Sequence, residues 1–173
     1  MGDDADAGES GPAPFLIERD DGLKHMSPTY ARAFLNLVRA GDAVDRWLDA
    51  DLRRREGLTV RAFEVLLHLA VFSEGGTMRM SRLAEQAPLS QSRVSRLVAE
   101  LEREGYVTRS AAEDDSRGVM VTITQAGIAK YRQAQETHYA GLQERLFSRL
   151  TYDEVVQLGE ITRKLLEPGA GSP

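Results

Sequence analysis

The chain has 173 residues, of which 42% are apolar and 28% charged, and its formal net charge at pH 7 is −5. This composition predicts a globular protein with room for one core and an added dimerisation element. The chain has no run of about 18 apolar residues, so no membrane span is predicted. The lack of cysteine excludes disulfides and thiolate sites, and three scattered histidines, His25, His68 and His138, do not form a zinc pattern. We therefore expect a cytoplasmic protein without a metal or cofactor.

The negative charge is concentrated at the N-terminus. Residues 1–24 hold seven acids and two bases, so this segment accounts for the whole net charge of −5. From His25 onward the chain is neutral, and its overall acidity does not argue against a nucleic-acid partner. Small and acidic residues predict a largely disordered tail over 1–24. The stretch FLIERDDGL within it is equally compatible with a short ordered lead-in.

Two helices are predicted after this tail. Ser27 followed by Pro28 is typical of a helix start, and apolar residues at helical spacing predict a long helix over about 28–54. A second helix is predicted over about 60–73. Its stretch FEVLLHLAVF is apolar on nearly all sides, which is typical of a buried helix.

The middle of the chain predicts a helix-turn-helix followed by a hairpin. A short helix, SRLAEQA, and a longer one over about 90–105 flank the breaker Pro88. The stretches YVTRS and VMVTIT then predict two strands on either side of the turn-rich AAEDDSRG. Two helices joined by a short turn, with a β-hairpin directly after them, form a winged helix-turn-helix, and we call the two helices the reader.

Two C-terminal helices complete the predicted fold. One begins at Thr124 and is expected to reach about Arg149, and the last begins at Thr151 and ends before Pro168. The first and last helices are too apolar to be stable alone in water, and the most economical partner is a second copy of the chain. The fold class is therefore mainly α (α+β), in the following order: N-terminal dimerisation helix 25–57, winged helix-turn-helix 58–123, C-terminal dimerisation helices 124–168 and tail 169–173.

Residues 58–131 resemble the MarR family of bacterial transcription regulators. LTVRAFEVLLHLA is similar to the family's helix before the reader, and MRMSRLAEQAPLSQSRVSRLVAELEREGYVTR to its two-helix reader and the start of the wing. EDDSRG resembles the acidic-x-Arg wing tip, and VMVTITQAG the return strand and the start of the dimerisation helix. Many members carry Arg-Arg at the wing tip, whereas the first of these positions here is Ser116. The resemblance implies a dimer that binds double-stranded DNA and a small, commonly aromatic or phenolic, effector.

The first half of the longer reader helix carries the candidate DNA-reading side chains. It contains no acid before Glu100, and a helix N-terminus favours phosphate. Glutamine pairs with adenine, arginine with guanine, and serine with either base or with phosphate. A solvated polar helix face is the alternative interpretation. The candidates are Ser90, Gln91, Ser92, Arg93, Ser95 and Arg96.

The hairpin tip carries a second DNA-binding candidate, Arg117, which could reach phosphates or the narrow minor groove. Asp115 could fix it by a charge-assisted hydrogen bond, and the family resemblance implies such a brace. A solvated turn whose charges neutralise each other is the alternative. Arg79, Arg82 and Arg109 are either DNA-backbone contacts or ordinary surface arginines.

Trp47, His68, Tyr30 and Arg46 have the residue types of an effector pocket, although core positions are the commoner explanation for Trp47, Tyr30 and His68. No HExxH, P-loop, GxGxxG or GxSxG is present, so we expect no enzyme. The sequence predicts a ligand-responsive homodimer that binds a pseudo-palindromic operator, most simply as a repressor. The alternative is a dimeric small-molecule- or protein-binding module of the same fold that has lost DNA affinity.

Overall fold

The computed structural model describes residues 12–86, 90–112 and 118–167. The chain divides into two compact units, one ending at Ala43 and one beginning at Val44, so the first long helix contributes to both. No helix in the described ranges is long and apolar enough to cross a membrane. The elements in chain order are β1 (Leu16–Glu18), β2 (Lys24–Met26), α1 (Pro28–Glu56), α2 (Val60–Val71), β3 (Thr77–Arg79), α3 (Met80–Gln86), α4 (Gln91–Arg103), β4 (Val107–Ala111), β5 (Val119–Ile123), α5 (Gln125–Arg145), a short 3-10 helix (Phe147–Arg149) and α6 (Tyr152–Leu166).

The N-terminal unit begins with an antiparallel hairpin of β1 and β2. Leu16 lies opposite Met26, and Glu18 lies opposite Lys24, whose ammonium is 3.6 Å from the carboxylate. Gly22 lies in the connecting turn with φ 80°, a conformation that glycine adopts without strain. Of the two interpretations left open for FLIERDDGL, the structure shows the ordered lead-in, because paired apolar and oppositely charged side chains order the segment. Residues 1–11 lie outside the described residues.

The core of the second unit is built around α2. Phe63, Leu66 and Leu69 are fully buried on this helix, which packs against α4, α5 and β5. The ring of Phe63 stacks on Tyr131 of α5 with centroids 5.6 Å apart and on His138 with centroids 4.5 Å apart. The prediction of a buried helix here is confirmed.

A three-stranded antiparallel sheet forms the wing, in the order β3-β5-β4. The predicted hairpin of β4 and β5 is present, with Val107 opposite Ile123 and Ala111 opposite Val119. β3 was not predicted from the sequence. It pairs with β5 so that Thr77 lies opposite Thr122, and their hydroxyl oxygens are 2.9 Å apart.

Each C-terminal helix begins directly after a threonine that caps it. The Thr151 hydroxyl accepts the Glu154 N–H, and the Glu154 carboxylate accepts the Thr151 N–H, which forms a capping box at the start of α6. The helix expected to run from Thr124 to about Arg149 instead ends at Arg145 and continues as the 3-10 helix. Tightening into a 3-10 turn is common at helix C-termini, where the last carbonyls lack partners.

Candidate nucleic-acid interface

Helix α4 presents its polar face to solvent and its apolar face to the core. Val94 and Val98 are fully buried, whereas Gln91, Ser92 and Ser95 are exposed. Ser90 occupies the N-cap position, as expected, but among the described residues its hydroxyl makes no capping bond to the helix and lies 3.2 Å from the Ser92 hydroxyl. The first turn of α4 therefore carries hydroxyl and amide groups on an accessible helix N-terminus, which suits phosphate and base edges.

A cleft of about 540 Å³ runs between α4 and the wing. Three of the predicted reading residues lie along it, namely Gln91, Ser92 and Ser95. Arg79, at the end of β3, and Arg109, on β4, also line it, together with Gly118 and Val119. The fold thus gathers part of the predicted reading set beside two arginines that come from different strands of the sheet.

Arg109 has a defined orientation in this cleft. Its backbone N–H donates to Glu102 Oε1 at 3.1 Å, its Nε donates to Oε2 at 2.7 Å, and its Nη2 lies 2.5 Å from Oε2. The hydrogen bond from Arg109 is the main reason that the pKa of Glu102 is lowered from its ordinary value. From the sequence, Arg109 was either a DNA-backbone contact or an ordinary surface arginine, and Glu102 was not singled out. The available signal was an acid and a base on either side of the chain reversal at Gly105.

Arg93 and Arg96 lie on the other flank of α4. They line a second cavity, of about 640 Å³, with side chains of α1 and the start of α2. Here Asp45 pairs with Arg61 at 2.5 Å, and Asp49 pairs with Arg53 at 2.6 Å. The predicted reading residues are therefore divided between two flanks of one helix, and only one flank faces the wing.

The other predicted DNA contacts are more scattered. Arg82 is exposed on α3 and lines neither cavity. Asp115 and Arg117 lie outside the described residues, so the wing-tip contact and its brace remain predictions.

The proposed effector residues do not line these cavities. On α1, Trp47 is half-buried and Arg46 exposed. His68 is half-buried on α2, with its ring centroid 5.6 Å from that of Phe72. Tyr30 belongs to the N-terminal unit and contacts Phe15 edge to face at 5.4 Å. Their role in ligand binding remains a prediction.

Comparison with known proteins shows a similarity to the MarR family. The sequence model of the MarR family matches residues 56–118. Sco3205, a MarR family transcriptional regulator from Streptomyces coelicolor solved in complex with DNA, is 28% identical with a TM-score of 0.79, over 86% of this chain and 95% of that one. The chain is therefore similar to MarR family regulators in both sequence and fold. The recognition and the fold class drawn from the sequence are both confirmed.

Two further relatives agree with this placement. AbsC, another MarR family regulator from Streptomyces coelicolor, has a TM-score of 0.77 and is 27% identical, over 83% of this chain and 95% of AbsC. The transcriptional repressor MdtR of Bacillus subtilis is 28% identical over 102 residues, which are 59% of this chain and 65% of MdtR. The chain thus spans just under two thirds of this curated relative. MarR family members are transcriptional regulators and not enzymes.

Proposed function

We propose that this protein is a homodimeric repressor of the MarR family that binds a pseudo-palindromic operator in double-stranded DNA and releases it in response to a small aromatic or phenolic ligand. The observation that carries DNA binding is the cleft between α4 and the wing. It combines Gln91, Ser92 and Ser95 with two arginines from β3 and β4.

The chemistry of this cleft fits a duplex. The major groove of B-DNA is about 12 Å wide and admits an α-helix, and the polar face of α4 is exposed along its first two turns. Glutamine and serine can pair with base edges, while arginines beside them can pair with phosphates. The DNA complex of Sco3205 supports the same role for a chain of this fold.

Exposed apolar side chains support the homodimer. Helix α6 has no buried residue, and its Ile161, Leu165 and Leu166 are 56%, 62% and 84% exposed. In the N-terminal unit, Phe34 and Leu37 of α1 are about half exposed as well, at 53% and 47%. Burial of such surface by a second copy is favourable at about 25 cal/mol per Å². A two-fold dimer then places two reading helices about one turn of DNA apart.

The repressor and effector proposals rest on different grounds. MdtR is a repressor, and a dimer seated on an operator blocks transcription most simply by occupying it. The effector rests on the half-buried Trp47 and His68. Because Trp47 is the only tryptophan in the chain, titration with a series of phenols should change its fluorescence and release bound DNA. An unchanged emission across the series would count against this part of the proposal.

Selection of bound duplexes from a random DNA library with the purified protein tests DNA binding directly. We expect recovery of an inverted repeat, and binding that weakens steeply as salt rises, because each neutralised phosphate releases counterions. If no duplex is retained even at low salt, the chain is instead a small-molecule- or protein-binding module of the same fold. A reporter gene placed behind the recovered repeat then separates repression from activation.

A further inference from the structure

We propose that Glu102 is a positioning residue that holds Arg109 in place to bind a DNA phosphate beside the reading helix. The assignment rests on the proposed DNA binding, and it names one phosphate contact and the group that orients it. Neither residue reads a base in this proposal. Arg109 touches the DNA backbone, and Glu102 acts through Arg109.

The fold brings the two residues together from different elements. Glu102 lies in the last turn of α4, the chain reverses at Gly105 with φ 79°, and Arg109 follows on β4. The Tyr106 N–H donates to the Leu101 carbonyl at 2.9 Å, which fixes this reversal. Glu102 therefore lies at the junction between the reading helix and the wing, where it can set the direction of a wing side chain relative to α4.

The contacts occupy one edge of the Arg109 guanidinium. Nε and Nη2 both point to Glu102 Oε2, while the backbone N–H binds Oε1. A guanidinium has a second edge, which carries Nη1, and a planar fork of this kind can bind a carboxylate and a phosphate at the same time. Arg109 is 39% exposed and lines the cleft shared with Gln91, Ser92 and Ser95. We assign the second edge to a phosphate of DNA lying in that cleft.

In this proposal Glu102 affects DNA binding both through its negative charge and through its contact with Arg109. A carboxylate near DNA repels phosphate, so Glu102 would weaken binding if it acted only through its charge. A long arginine side chain that is free to rotate is poorly aimed, and holding it in one orientation before DNA arrives lowers the cost of binding. These two effects of Glu102 have opposite directions. They can therefore be separated by removing its charge with and without Arg109 present.

The same contacts also offer a purely structural interpretation. Glu102 accepts the Arg109 backbone N–H, so it ties the end of α4 to β4 whatever binds in the cleft. A loss of DNA binding on removal of Glu102 would not by itself distinguish this tie from positioning. The test must therefore measure how the effect of Glu102 depends on the Arg109 side chain, whose replacement leaves the backbone N–H in place.

The experiment is a double-mutant cycle on the full chain with E102Q, R109Q and the double variant. Affinity for one fixed duplex is measured by fluorescence anisotropy over a salt series, and thermal unfolding checks that each variant folds. R109Q should lower the slope of log affinity against log salt by about 0.9 for each protomer's lost phosphate contact. E102Q should weaken binding about three- to tenfold with the slope kept. In the R109Q background, E102Q should leave binding unchanged or strengthen it.

Two further variants complete the test. Glu104→Gln removes the same charge two residues further along, and the structure shows no ion pair between Glu104 and another described residue; it should leave binding unchanged or strengthen it. Arg109→Lys keeps the charge but not the planar fork, so it should weaken binding with the salt slope kept. If E102Q does not fold, the single variants Arg109→Lys and R109Q still test the phosphate contact.

The outcomes separate the proposal from the function on which it rests. If wild-type protein binds no duplex at low salt, both the proposed function and this assignment are overturned. If it binds but R109Q keeps the wild-type salt slope, Arg109 contacts no phosphate. If E102Q weakens binding equally with and without Arg109, Glu102 has only a structural role. A loss of binding on E102Q that disappears or reverses in the R109Q background supports the positioning role.

Discussion

Gly127 lies where the first turn of α5 crosses the turn between α4 and β4. A Cβ at this position would lie 2.1 Å from the Tyr106 carbonyl oxygen and 2.8 Å from Ile123 Cγ1. The carbonyl also accepts the Thr124 N–H at 3.0 Å, so it cannot move away without losing that bond. We expect Gly127→Ala to lower the free energy of unfolding by about 3 kcal/mol or more. Denaturant titration followed by circular dichroism measures this change.

Gly159 is the matched control for this substitution. It also lies within a helix, α6, but no described atom beyond its chain neighbours and the helix's own backbone lies within 4 Å of a Cβ built on it. Gly159→Ala should therefore be neutral or stabilising by up to about 1 kcal/mol, the difference in helix propensity. An equal effect of the two substitutions would show that the close approach at Gly127 is relieved by a small backbone shift.

Substitutions of Arg93 and Arg96 test whether this flank of α4 contacts base edges or phosphates. Both lie on the flank of α4 that faces α1 and α2. We expect Arg93→Ala or Arg96→Ala to cost about 1–3 kcal/mol in operator binding and to relax the preference at one base position per half-site. Affinities for a panel of single-base operator variants measure both effects. An equal loss on every sequence would instead assign the arginine to a phosphate.

Between elements, the packing of α2 on α5 includes a titratable ring. His138 stacks on Phe63 at 4.5 Å, and burial lowers its pKa below the ordinary value of 6.5. The folded protein therefore binds the proton less readily than the unfolded chain. Stability is unaffected well above pH 6.5 and falls as the pH drops below 6.5 toward the folded pKa.

We expect the free energy of unfolding to decrease between about pH 7.5 and about pH 5.5, and His138→Phe to flatten this dependence. Denaturant titration at a series of pH values measures it. His25→Phe is the control, because His25 lies on the exposed hairpin. A pH dependence that survives in the His138 variant would assign it to other groups.

The elements that were predicted from the sequence have either a readable periodic pattern or a strong start signal. Helix α1 repeats its apolar spacing over 29 residues, and α5 and α6 begin at threonines whose side chains cap them. β3 has only three residues and gains its stability from distant β5. No local periodicity can be read over so short a stretch, and the same holds for β1 and β2.

The candidate site was predicted in part for a similar reason. The composition of the first turns of α4 indicated a polar, acid-free face, and that face is exposed. Helical spacing also places Gln91 and Ser95 on one flank of that face and Arg93 on the other, with Ser92 and Arg96, four residues apart, between them. Which of these flanks faces the wing depends on how β4 returns beside α4, and only the tertiary structure determines this. The Glu102–Arg109 pair depends on the same return and was therefore missed.

In the whole of the second unit, the reading helix is joined firmly to α5. The Thr124 hydroxyl donates to the Gly105 carbonyl at 2.7 Å and accepts the Gly127 N–H at 3.0 Å, which fixes the end of α4 to the start of α5. Asp51 of α1 lies 2.9 Å from Arg145 of α5, and Glu56 accepts the Thr137 hydroxyl at 2.7 Å. We expect a shift of α5 to move the end of α4, and in the proposed function this would connect a ligand or a dimer contact to DNA.

The exposed apolar face of α6 is the predicted position of the dimer contact. Leu158, Ile161 and Leu165 share one side of the helix and are 39%, 56% and 62% exposed. A glutamate in this face would have to be buried in a dimer without a partner, which is costly. We expect Leu165→Glu to convert a wild-type dimer to monomers and to weaken operator binding strongly, because two half-sites are then no longer bound as one unit. Sedimentation equilibrium and anisotropy measure the two effects.

Val156→Glu is the control for this change, since it places the same acid on the opposite side of α6, where Val156 is 43% exposed. It should leave both the dimer and operator binding intact. Circular dichroism confirms that the two variants keep their helices, so that a monomer reports lost association and not unfolding. A Leu165→Glu protein that remains dimeric would place the dimer contact away from this face, and the burial of α6 would then need a different partner.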